Sequence, residues 1–103
     1  MREQFYATNV LEHLKERNFQ SFREMHTYIN DYFFLRSEIF YMIQEKYYRL
    51  SVIDAYRYEV RLQEIDQSGE LTLDKNGRVN KLRMNIDKFE AIAEVFEIKL
   101  SSE

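Results

Sequence analysis

The chain has no cysteine, no proline and no tryptophan, and only two glycines in 103 residues. Without cysteine there is no disulfide, no thiol nucleophile and no thiolate metal site. Two glycines cannot build a Walker A loop or a dinucleotide fingerprint, and no Gly-x-Ser-x-Gly motif occurs. Histidine stands only at His13 and His26, with no His-Glu-x-x-His pattern. Both read as surface helical residues, and no metal is expected. No apolar run approaches the ~20 residues that span a bilayer. Met1-Arg2-Glu3-Gln4 has no signal-like apolar stretch. These absences predict a cytoplasmic, single-domain protein over residues 1–103, with no membrane contact, no cofactor and no small-molecule substrate. Cations are not in excess either, since 15 basic residues meet 18 acidic ones for a net charge of −3. A dominant nucleic-acid face is usually basic, so any such contact must run through a local patch.

What the chain does have is aromatic residues, eight Tyr and eight Phe. Each buries a large area, and Tyr keeps a polar end, which suits a small core or an interface. A hydrophobic fraction of 45% beside 32% charge marks a globular chain rather than a disordered one.

Apolar periodicity reads as helix almost throughout. Phe5, Tyr6, Val10, Leu11 and Leu14 predict a first helix over roughly residues 3–17. Asn18-Phe19-Gln20 breaks it, and Ser21-x-x-Glu24 is a capping box that opens a second. Residues 32–50 are apolar on several sides, as in a helix shared with another chain. Ser51-x-x-Asp54 resembles a further helix start, unless residues 31–66 form one helix. Gly69 reads as a helix C-cap. The stretch from Glu64 to Thr72 faintly matches a calcium loop, but Lys75 stands where the bidentate Glu belongs. Asn76-Gly77, flanked by Leu71, Leu73 and Val79, predicts a small hairpin. Leu82, Ile86, Phe89, Ala93, Phe96 and Leu100 make a stripe for a last helix. No internal repeat is evident. The predicted fold is mainly α: a small bundle of at least four helices with a short hairpin or turn between the last two.

Three patterns bear on function. Lys75, Arg78, Lys81 and Arg83 form the densest basic cluster, beside a predicted helix start where backbone N–H groups favour phosphate. Tyr47, Tyr48, Tyr56 and Tyr58 interleave with Arg49, Arg57 and Arg61. That pattern suits base stacking, but more often it is helix packing with Arg on the exposed side. The aromatic excess predicts a homo-oligomer, with Phe33, Phe40, Tyr47 and Tyr56 at the subunit contact.

The order of these elements resembles the C-terminal half of phage terminase small subunits. The matching residues are Ala55-Tyr56-x-x-Glu59, Gly69, Asn76-Gly77-Arg78-Val79-Asn80, and Leu82 through Phe96-Glu97-Ile98. The resemblance spans roughly residues 45–100. Lys81 stands where the family commonly has proline, and Glu97 where its tail usually has glycine. The resemblance implies a non-enzymatic DNA-packaging component. Such a protein oligomerises, binds double-stranded viral DNA and presents it to a large terminase subunit. The alternative is a small acidic helical interaction module that regulates or inhibits a protein partner. No constellation of residues supports an enzyme.

Overall fold

The computed structural model describes residues 2–4, 8–33 and 37–100, and side chains over 8–28 and 39–96. It is an antiparallel sheet with three short helices, which overturns the mainly α, four-helix prediction. The strands are β1 (Arg2–Gln4), β2 (Thr8–Asn9), β3 (Ser37–Ile43), β4 (Lys46–Asp54), β5 (Glu59–Ile65), β6 (Lys81–Asn85) and β7 (Glu94–Leu100). The helices are α1 (Val10–Glu16), α2 (Phe22–Phe33) and α3 (Ile86–Ile92). The sheet runs β1-β7-β3-β4-β5-β6, and β2 also pairs with β7.

The residues read as two central helices form the meander β3-β4-β5. Strand β3 is apolar on both faces: Tyr41 and Ile43 point to the core, while Phe40 is buried on the other side. A strand buried on both faces loses its alternation and reads as a continuous apolar run. Tyr, Ile, Phe and Val dominate the stretch, and these are strand formers. Strands β5 and β6 do alternate. Val60 and Leu62 are buried between partly exposed Arg61 and Gln63, and Leu82 and Met84 lie between exposed Lys81, Arg83 and Asn85.

The predicted last helix is three elements. Strand β6 ends at Asn85, whose side chain caps α3 by accepting the Asp87 N–H at 2.7 Å. Ala93 is extended (φ −80°, ψ 143°) and ends the helix. Since β3, β4, β5 and β6 alternate in direction and β7 is antiparallel to β3, β6 and β7 run the same way. Eight residues, Ile86 to Ala93, thus cross three strands, fewer than the dozen a flat crossover needs. Phe89 within α3 and Ala93 at its end are fully buried under this short crossover. The predicted first helix starts later, at Val10, with the Asn9 carbonyl oxygen capping the Leu11 and Glu12 N–H groups. Ser21 caps α2 by accepting the Glu24 N–H at 3.0 Å, as the capping box predicts. The three helices cover one face. Val10, Leu14, Phe22, Met25, Ile86 and Phe89 pack on Tyr41, Tyr48, Val60, Leu62 and Val95. The shortest dimension, 22 Å, fits one helix layer of ~10 Å on one sheet.

Two predicted features change character. Gly69 is no helix C-cap. It closes a loop between Ile65 and Leu71, with φ +92°. Asn76-Gly77 does turn the chain, but in a three-residue loop between Asp74 and Arg78, inside the Leu73–Val79 bridge, with only Gly77 at positive φ. The two loops are one motif repeated at an offset of eight residues: Ile65-Asp66-Gln67-Ser68-Gly69-Glu70-Leu71-Thr72, then Leu73-Asp74-Lys75-Asn76-Gly77-Arg78-Val79-Asn80. Each Asp accepts two backbone N–H groups across its loop. Asp66 takes those of Ser68 and Glu70, and Asp74 those of Asn76 and Arg78. The repeat, which sequence reading missed, replaces the faint calcium-loop match. The Asp66 carboxylate is occupied by the Ser68 hydroxyl and the Glu70 N–H, which hold its pKa down.

Candidate nucleic-acid interface

The face of the sheet opposite the helices carries an ordered charge pattern across β4, β5 and β6. Register places side chains directly across β4, β5 and β6 in three rungs. Arg49, Gln63 and Lys81 form the first, Val52, Arg61 and Arg83 the second, and Asp54, Glu59 and Asn85 the third. The second rung sets one arginine directly opposite another, an arrangement that costs a sheet stability. Ser51 is an extra residue in β4, between the Leu50–Leu62 and Val52–Arg61 pairs. Such a bulge bends the strand and re-aims its neighbours.

Arg61 is compensated within this face. Its Nη2 lies 3.1 Å from Asp54 Oδ2, and its Nε lies 3.2 Å from Glu59 Oε1. Among the described residues, Arg57, Lys81 and Arg83 have no such carboxylate. Arg57 comes from the β4–β5 turn, whose shape is set by the Arg57 N–H donating to Asp54 Oδ1 at 3.0 Å. Arg57, Arg61, Lys81 and Arg83 line an open groove of about 690 Å³ together with Ser51, Val52 and Gln63. Four cations and two neutral hydrogen-bonding side chains around one groove can hold an anion. Nothing among them is arranged as a nucleophile with a base.

The structure divides the predicted basic cluster. Lys81 and Arg83 lie on β6 in the groove, whereas Lys75 and Arg78 are in the second Asp-Gly loop beyond the strand. No helix starts at Lys81, so the expected phosphate-binding N–H groups are not there. Helix α3 begins five residues later. Sequence reading assigned Arg49, Arg57 and Arg61 to the outer side of packing helices and so missed them. The alternation Val60-Arg61-Leu62-Gln63 was the available signal.

The predicted subunit-contact residues also scatter. The Phe33 side chain lies outside the described residues. Phe40 is buried, Tyr47 stacks on Phe96 with centroids 5.6 Å apart, and Tyr56 is 98% exposed at the β4–β5 turn. Tyr48, read with them, belongs to the core. The histidines read as surface residues point inward. His13 is buried, and His26 Nδ1 lies 2.9 Å from the buried Tyr41 hydroxyl. No three His, Asp or Glu side chains gather as a metal site among the described residues. No helix there is long and apolar enough to cross a membrane. Comparison with protein-family models, curated proteins and solved structures finds no match.

Proposed function

We propose that the protein is a non-enzymatic nucleic-acid-binding protein whose groove between β4, β5 and β6 holds the phosphate backbone. The observation that carries this reading is the Arg61–Arg83 pair. Two arginines face each other across β5 and β6, with Lys81 and Arg57 beside them, in a chain of net charge −3. Arg61 is held by Asp54 and Glu59, so a bound phosphate neutralises Arg83 and Lys81 and accepts from the planar Arg83 fork. Contacts to phosphate carry no sequence information, so binding through these cations is indifferent to sequence. The DNA-packaging role implied by the residue pattern is one setting for such contact. Its expected helices are absent, and what this geometry supports is the DNA contact alone.

Fluorescence anisotropy with a labelled oligonucleotide tests the reading. Affinity should fall by at least about tenfold between 50 and 200 mM salt, as expected for three or four phosphate contacts. The double variant Lys81→Glu and Arg83→Glu should lose binding, while Lys75→Glu with Arg78→Glu should retain most of it. Equal binding by all three proteins would place the site elsewhere. Binding to an acidic polypeptide but to no oligonucleotide would favour the protein-partner reading.

A further inference from the structure

We propose that the strand held in this groove is single, and that Tyr56 is the platform on which one of its bases stacks. The inference rests on the phosphate-binding reading above and adds the class of nucleic acid. Tyr56 is 98% exposed, so its ring buries nothing and contributes no packing to the fold. It occupies the β4–β5 turn next to Arg57, which lines the groove. The turn itself is braced. The Tyr58 hydroxyl donates to Asp87 Oδ1 at 2.8 Å, and the Tyr58 carbonyl accepts the Ile86 N–H at 3.1 Å. Tyr56 is thus an unpacked aromatic ring on a fixed turn beside a cationic groove, the combination that binds unpaired bases.

The size of the cationic area selects a single strand. Lys81 and Arg83 are two residues apart on one strand, about 7 Å. Arg61 and Arg83 are on neighbouring strands about 5 Å apart. Beyond the second rung lie Asp54 and Glu59, which interrupt the positive area between the strand cations and Arg57 in the turn. A rigid duplex laid across it carries its phosphates over those carboxylates. A flexible single strand places phosphates on Lys81 and Arg83, the strand cations that no described carboxylate holds, and lets a neutral base cross the acidic rung to Tyr56. Inside a duplex the bases are paired and stacked, and none is free to reach the ring.

The test uses the full chain, a fluorescein-labelled 12-nucleotide oligothymidine and a 12-base-pair duplex, measured by anisotropy at 50 mM salt. The single strand should bind more tightly than the duplex. Tyr56→Ala should weaken single-strand binding by roughly five- to a hundredfold, the range of base–aromatic stacking, and leave duplex binding unchanged. Tyr56→Phe should bind as the parent does. An unchanged thermal midpoint in Tyr56→Ala checks that the fold is intact. Duplex binding as tight as single-strand binding, or full single-strand affinity in Tyr56→Ala, overturns the inference and leaves the groove reading standing. No salt-sensitive binding to either oligonucleotide overturns both.

Discussion

Arg83 shows how a single residue trades stability for a charge pattern. It sits opposite Arg61, whose own carboxylates, Asp54 and Glu59, are already in use. Arg83→Gln removes a like charge opposite Arg61 without adding a third carboxylate beside it, a relief worth about 0.2–1 kcal/mol across a sheet pair. The variant should therefore unfold at higher urea while losing oligonucleotide binding. A less stable variant would mean that Arg83 serves the fold rather than a ligand. His26 makes a second residue-scale case. Burial lowers its pKa from the ordinary value of 6.5. The unfolded chain then takes up a proton at a higher pH than the folded one. Stability from the neutral ring is complete above pH 6.5 and is lost as pH falls through the lowered folded value. His26→Gln should flatten urea midpoints measured between pH 7.5 and 5.5. An unaltered pH slope would assign the dependence to other groups.

At the scale of elements, the turns carry the least obvious chemistry. Strands β3 and β4 are joined by Gln44 and Glu45, both at positive φ (52° and 70°). This is a two-residue hairpin turn that favours Asn-Gly, and neither native residue is suited to it. Replacing Gln44-Glu45 by Asn-Gly should stabilise the protein by about 1–2 kcal/mol, since each left-handed residue other than glycine costs about 1 kcal/mol or more. Chemical denaturation of the double variant reads this directly, and a loss of stability would contradict the turn geometry. Such a turn is invisible to a reading that looks for Asn, Gly or Pro. It sits inside the apolar stretch that imitates a helix. The two Asp-Gly loops were legible in principle as an eight-residue repeat, because Asp66 and Asp74, Gly69 and Gly77, and Leu71 and Val79 align.

For the whole molecule, the sheet changes what the apolar residues imply. A helix over residues 32–50 leaves aromatic side chains with nothing to cover them, and oligomerisation follows. A two-faced sheet absorbs Tyr41 and Ile43 on the helix side and Phe40 on the other within one chain. Phe40→Asp should thus unfold the protein, by at least the 3–5 kcal/mol that removing a buried aromatic costs, rather than produce a folded smaller species. Sedimentation alongside circular dichroism separates the two results. A folded variant of reduced mass would return Phe40 to a subunit contact.

Locally determined features were readable from the chain. The capping box at Ser21, the break at Asn18 and the turn at Gly77 depend on neighbouring residues alone, and the structure has each of them. The absence of cysteine settles the missing disulfides in the same way. What tertiary structure decided was everything that rests on pairing over distance. Leu82, Ile86 and Phe89 fit a helical stripe, yet Leu82 lies in β6 because Leu62 waits opposite it in β5. The stripe of the last helix was a strand, a short helix and a strand: Leu82, Ile86, Phe89 and Ala93 do face the core, but in β7 the core residue is Val95 and not Phe96. The same pairing assembled the groove. Arg61 and Arg83 stand 22 residues apart in sequence, and Arg57 joins them from the turn that leads into β5. Sequence distance carries no information about register, and register alone places these cations on one face.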